Sequence, residues 1–348
     1  LKITSVHAVY PKYKHTVPSW RTHLWQIVVK IETDTGQVGW GYGGGGKAAV
    51  EVVNGHFAEI LTGKSFDSVS DIGDIWDFLY AESIPYGRKG VAIMALSGVD
   101  LALYDALGKA ENKPVALLLR DSPKQHMRCY ATGPDTDYYA DLGFTAQKFP
   151  FRWTGEESID EGVRLAEKAR SVFGPKAEVM FDVYMSWDSV ITLRMHEALK
   201  HVGIHWYEDI FTPDDLMELG ELRPKIQPVN MAGGEHEFST HGFADIARAG
   251  AYDIWQPDIT WCGGITAGSR IVDMAKVAGV EVVPHRGAET WGLHLVAASD
   301  CEDFAEILPG VRGGAKDDLW IGEPEVIDGH IDISDKPGFG VKPNEDLL

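Results

Sequence analysis

Six ionisable residues recur in phase along the C-terminal two thirds of the chain, each at or beside the end of a short apolar run. Asp182 closes Glu178-Val-Met-Phe, Glu208 closes Ile204-His-Trp-Tyr, and Glu235 follows Met231-Ala-Gly-Gly. Asp258 follows Trp255-Gln-Pro, His285 closes Val282-Val-Pro, and Glu306 lies within Phe304-Ala-Glu-Ile. Their separations are 26, 27, 23, 27 and 21 residues, each about one strand plus one crossover helix. Eight such runs begin at about 126, and helical stretches separate the later ones, among them 159–172, 188–201, 213–222, 243–249 and 264–278. This alternation predicts a closed parallel barrel in preference to an open sheet. A barrel gathers the C-terminal ends of its strands on one face, so the six groups become neighbours. One acid at a strand end is usually a cap or an ion-pair partner. Five acids and one histidine in phase are not explained that way. Clustered carboxylates repel one another unless a cation offsets the charge, and an all-oxygen ligand set favours Mg²⁺ over zinc.

The N-terminal third reads differently. Strand-like stretches over 24–32 and 37–41 flank Asp34-Thr35-Gly36, a hairpin turn. A helix over 91–112 carries Ile93, Leu96, Val99, Leu103 and Leu107 on one face, with Pro114 just beyond its end. The length of 348 residues suggests about two domains, with a soft boundary near 120–126. Gly41-Tyr-Gly-Gly-Gly-Gly-Lys47 formally matches two nucleotide-binding patterns. Ala48 stands where a phosphate loop needs Ser or Thr, and the flanking hairpin is not a parallel βαβ unit. A mobile loop over a pocket is the better expectation. His201, His205 and His294 read as packing or surface residues, whereas Trp187, Trp261 and Trp291 could line a pocket or fill a core.

Charge and cysteine content narrow the partners. With 52 Asp+Glu against 32 Lys+Arg the net charge is −20, which argues against nucleic acid and anionic membranes. No unbroken apolar run of membrane-spanning length occurs, and the first residues lack a signal-peptide pattern. Cys129, Cys262 and Cys301 are odd in number and widely spaced, which excludes a disulfide framework or a cysteine zinc site. A soluble cytoplasmic protein is expected.

Lys148-Phe-Pro, Asp182-Val-Tyr-Met-Ser-Trp187, Gly234-Glu-His-Glu237, Gln256-Pro-Asp-Ile-Thr-Trp-Cys-Gly-Gly264, Val282-Val-Pro-His285 and Asp335-Lys-Pro-Gly-Phe-Gly-Val341 together resemble the enolase superfamily. The likeness is to its mandelate racemase-like branch, and within that to the rhamnonate-type sugar-acid dehydratases. The resemblance implies a (β/α)₇β TIM-like barrel over 123–314 beneath an α+β capping domain over 1–122, completed by the tail 315–348. It implies Mg²⁺ on Asp182, Glu208 and Glu235, an Asp258–His285 acid–base dyad, and Glu306 donating a hydrogen bond to the intermediate. Lys148, Arg286, His236, Arg21 and Trp187 are the expected substrate contacts, with His23 a further candidate in the cap. The implied reaction is removal of the C2 proton of an acid sugar by His285, then loss of the 3-hydroxyl to give a 2-keto-3-deoxy acid. The implied partners are a small acid sugar and further copies of the same chain. A cycloisomerase or epimerase using the same enediolate, or a barrel that only binds sugar acids, are the alternatives. An intact dyad argues against mere binding.

Two departures from the family pattern stand out. Pro150 occupies the place where many relatives carry a second lysine, and Arg286-Gly-Ala follows His285 where rhamnonate-type enzymes usually read Gly-Ser-Ser.

Overall fold

The computed structural model describes residues 1–13, 24–314 and 318–348. The chain opens with an antiparallel sheet of β1 (Ile3–Val9), β2 (Ile27–Thr33) and β3 (Val38–Gly43). Gly36, at φ +80°, turns β2 into β3. Helix Val91–Glu111 lies on this sheet and is closed by Asn112 in the left-handed conformation. It is long and apolar enough to cross a bilayer. Here, however, it is buried on nearly every side between the sheet and neighbouring helices, as befits the core helix of a domain.

The glycine-rich stretch 41–47, expected to be a mobile loop, instead ends β3 over Gly41–Gly43 and opens a helix at Gly46. Gly39, Gly41 and Gly43 alternate along β3, and a Cβ on each would fall 2.0, 2.0 and 2.5 Å from the carbonyl oxygens of Ala102, Gly98 and Met94. Successive side chains of a strand point to opposite faces, so glycine at every second position bares one face to the helix backbone.

The second unit is parallel. Strands β4 (His126–Thr132), β5 (Ala146–Pro150), β6 (Glu178–Asp182), β7 (Trp206–Glu208), β8 (Asn230–Gly233), β9 (Ile254–Trp255), β10 (Glu281–Val282) and β11 (Phe304–Ile307) pair in the order β10-β9-β8-β7-β6-β5-β4-β11. The last strand thus pairs with the first, and the seam between β10 and β11 is bridged by Glu302 N–H to Val282 O at 3.2 Å. Each expected run overlaps its strand, but β9 and β10 are only two residues long. Pro257 and Pro284 lie just beyond them and cannot donate to a ladder. The helix expected from Pro213 begins at Leu216, with Asp215 as its cap. The Thr212 hydroxyl instead donates to Asp215 across the preceding turn, at 2.8 Å.

Inside the barrel, Tyr130, Ala146, Met180, Trp206, Ala232, Ile254, Val283 and Phe304 form one buried apolar cluster. Two residues further along their segments stand Thr132, Lys148, Asp182, Glu208, Gly234, Gln256, His285 and Glu306. Period 2 therefore places a polar layer directly on an apolar one. The remaining strands, β12 (Trp320–Ile321), β13 (His330–Asp332) and β14 (Lys342–Pro343), belong to the tail. β13 pairs with β4. Phe339 donates its N–H to Asp105 of the cap helix at 3.0 Å and accepts from Thr290 of the barrel at 2.9 Å. Gly338 is required beside it, since a Cβ there would lie 2.1 Å from Asp105 Oδ1.

Candidate active site

Parallel register sets Pro150 beside Asp182, and Asp182 beside Glu208, at the ends of β5, β6 and β7. Just past the ends of β6, β7 and β10 the chain turns sharply. Tyr184, Met185, Asp209 and Arg286 all have positive φ, a strained conformation for these residues that tends to mark functional sites.

Asp258 and His285 form a dyad, with His285 Nδ1 2.8 Å from Asp258 Oδ2. The other ring nitrogen faces Glu235, at 3.4 Å from Oε2. Burial opposes charge on the imidazole, but Glu235, the hydrogen bond to Asp258 and Glu306 outweigh it and lift the group to about 10. Burial pushes the Asp258 carboxyl up, yet Arg286, His285 and Thr260 more than offset this and hold it below its ordinary value.

Lys148 is buried between Glu208 and Glu306, pairing with Glu208 Oε1 and, at 2.8 Å, with Glu306 Oε1. The second oxygen of Glu208 accepts from Trp206 Nε1 at 3.0 Å and Gln256 Nε2 at 2.8 Å. Glu306 further accepts from Thr132 Oγ1 at 2.5 Å and the Arg286 backbone N–H at 2.8 Å. Burial raises its carboxyl, but Lys148, His285 and that N–H dominate and bring it down to about 2. Glu306 is therefore an acceptor in this arrangement, and donating a hydrogen bond as anticipated would first require protonating it.

Among the described residues, Asp182, Asp209 and Glu235 form no ion pair with a lysine or arginine. Asp182 is pushed well up, by burial and then by Glu208. Asp209 is pushed well up by burial, Asp182 and Glu208. Glu235 rises to about 8, through burial and then Asp209 and Glu208, against a downward pull from His285. This mutual repulsion fits a site that takes a divalent cation, and the oxygen-rich donor set suits a hard one such as Mg²⁺. In the arrangement described, the atoms brought within 4.8 Å of one another belong to Asp209, Glu235 and His236. Asp182 and Glu208 border that group. Sequence reasoning missed Asp209, although it directly follows Glu208.

The expected substrate contacts fare unevenly. His236 faces the site, with Nε2 3.4 Å from Glu235 and its ring stacked on Trp261. Arg286 points away toward Glu289, which binds its Nε at 2.7 Å and its Nη2, while Nη1 lies 3.6 Å from Asp258. Its guanidinium also covers the Trp25 ring at 5.6 Å. Trp187 packs on Phe151 and Tyr207. Tyr207 lies between two inward residues of β7 and so faces outward, which puts Trp187 in the strand–helix layer. Trp261 instead lies beside His285, with its ring 5.7 Å away. Arg21 and His23 lie outside the described residues. A separate cleft of about 610 Å³, lined in part by Arg120, Thr266, Arg270 and Lys276, contains none of these groups.

A barrel with such a polar layer, set beneath an α+β cap, defines the enolase-like fold. The chain belongs to the mandelate racemase/muconate lactonizing enzyme family: residues 9–119 match its N-terminal domain and 136–347 match the enolase C-terminal domain-like family. Among individual proteins, it is 35% identical over 350 residues to a Caldivirga maquilingensis protein provisionally named L-rhamnonate dehydratase, covering 98% of this chain and 87% of that one. The structure is similar to L-rhamnonate dehydratase from Gibberella zeae (30% identity, TM-score 0.89, covering 99% of this chain and 94% of that one). A second structure of that enzyme, complexed with Mg, matches at 28% identity and TM-score 0.88, with the same coverage. It also resembles the 3,6-anhydro-D-galactonate cycloisomerase from Zobellia galactanivorans (26% identity, TM-score 0.86, 99% and 98% covered).

Proposed function

We propose that the protein is a Mg²⁺-dependent dehydratase of an acid sugar of the rhamnonate kind. The observation that carries this reading is the Asp258–His285 dyad, with His285 in the polar layer and its other ring nitrogen turned toward Glu235. Similarity to rhamnonate dehydratases supports the substrate class. Asp182, Glu208 and Glu235 would hold the cation, with Asp209 and His236 beside them. When bound, magnesium supplies positive charge opposite the substrate carboxylate, where negative charge grows as the C2 proton leaves.

The protein's own groups do the rest. His285 Nε2 takes the C2 proton, while Asp258 holds Nδ1–H and stabilises the imidazolium that forms. Glu235 is the largest of the groups that favour a charged imidazole, followed by the bond to Asp258 and by Glu306. Once protonated, His285 is the acid that assists departure of the 3-hydroxyl. Lys148, held by Glu208 and Glu306, would meet the substrate carboxylate or hydroxyls. Pro150 provides no base at the end of β5, so elimination is favoured over inversion at C2.

The proposed division of labour is chemistry in 123–314 and enclosure by 1–122 with the tail 315–348. The cytoplasm is the proposed setting, since the three cysteines are buried free thiols. The test is a screen of acid sugars in deuterated water with Mg²⁺, followed by NMR of product and recovered substrate. A 2-keto-3-deoxy acid is expected, abolished by chelation and by His285→Asn, without a C2 epimer. An epimer, or turnover surviving both treatments, would overturn the proposal.

A further inference from the structure

The dyad does not end at Asp258. Asp258 Oδ1 accepts the Thr260 backbone N–H at 2.7 Å and the Thr260 hydroxyl at 2.6 Å, a local turn that orients the carboxylate. The same hydroxyl oxygen accepts from Gln26 Nε2 of the cap at 2.8 Å. Gln26 Oε1 accepts in turn from Trp261 Nε1 at 2.7 Å. Gln26, Thr260, Asp258 and Trp261 are all buried, so water does not replace these bonds.

We infer that Gln26, reaching from the capping domain, is a positioning residue that reserves the Thr260 hydroxyl proton for Asp258 and so holds the carboxylate that faces His285. An indole N–H can only donate, so the Gln26 atom facing it must be the carbonyl oxygen. That assignment turns the amide NH₂ toward Thr260 and makes the hydroxyl oxygen an acceptor there. Thr260 has one hydroxyl proton, which must then go to Asp258. Asp258, as an ionised carboxylate, only accepts, so with Oδ1 engaged by both Thr260 donors, Oδ2 faces the proton on His285 Nδ1. The cap backbone holds the arrangement in place: Tyr13 Oη donates to Gln26 O at 2.7 Å, and Gly44 N–H to Thr260 O at 3.2 Å. Gly44 admits the indole, since a Cβ there would lie 2.7 Å from Trp261 Cδ1. Seating the cap therefore positions the base.

The kinetic consequence rests on the dehydratase reading, but the bond itself can be tested without any substrate. Gln26→Glu keeps the shape and the bond from Trp261, yet offers Thr260 an acceptor, drawing its proton away from Asp258. In proton NMR of the full-length protein, the downfield His285 Nδ1–H signal, assigned by its loss in His285→Asn, is expected to shift or broaden in Gln26→Glu and Thr260→Val. It should persist in Thr260→Ser, which keeps the hydroxyl. An unmoved signal in Gln26→Glu overturns the relay. With a turned-over acid sugar, Gln26→Glu should lower kcat about 10- to 100-fold and leave KM nearly unchanged. A change in KM alone would assign Gln26 to substrate binding and overturn the inference. Failure to find any substrate leaves the NMR result standing, so the two readings fail separately.

Discussion

Replacing His294 with asparagine tests how the cap, barrel and tail are held together. His294 lies in helix Thr290–Ala298 and is 1% exposed. Its Nδ1 accepts the Ala116 N–H at 3.1 Å, and its ring meets Phe339 of the tail edge-on, at 5.3 Å. Burial drives its pKa from 6.5 down to about 4. A proton on Nδ1 would set two donors face to face. Between those two values the unfolded chain binds a proton that the folded chain refuses, so stability rises with pH across this window. The contribution is complete above pH 6.5 and is lost as pH falls toward 4. At about 1.4 kcal/mol per pH unit, the full window is worth about 3 kcal/mol. His294→Asn keeps a carbonyl oxygen for the Ala116 N–H and removes the titration. Urea unfolding of both proteins at about pH 7.5 and about pH 4.5 should show the wild type losing about 2.5 kcal/mol more than the variant. Acids in the cup titrate in both proteins and cancel. Parallel losses, or an imidazole that titrates near 6.5 in the folded protein, would refute the reasoning.

Gly41→Ala should destabilise the cap by about 3 kcal/mol or more, because its Cβ would meet backbone atoms of the core helix that cannot step aside; an unchanged unfolding midpoint would sink this. Arg286→Gly, expected from sequence alone to alter substrate preference, is now expected to lower kcat about tenfold at nearly constant KM, because the guanidinium serves Asp258 and Glu289. A redirected substrate profile in that variant would place the side chain back in the substrate pocket.

The alternation of apolar runs and helical stretches determined the barrel by itself, because strand period and crossover length are local properties written into hydrophobic spacing. The same period made Asp182, Glu208, Asp258, His285 and Glu306 legible as members of one polar face. Chemistry at the level of single atoms was not legible. Whether Glu306 donates or accepts depends on Lys148, which arrives from another strand, and Arg286 turns to Glu289 because of a local left-handed backbone. Gly39 and Gly41 fall in a strand-like stretch, but the run from Gly41 on reads as a loop; only the helix lying against β3 shows why glycine stands at every second position. Trp187 and Trp261 look alike in sequence, and their difference is which side of a strand each one packs against. The bond from Gln26 to Thr260 spans 234 residues, and no local pattern encodes it. It forms only when the cap closes over the barrel and buries both groups, because burial is what makes an unmet hydrogen bond costly enough to fix its partner.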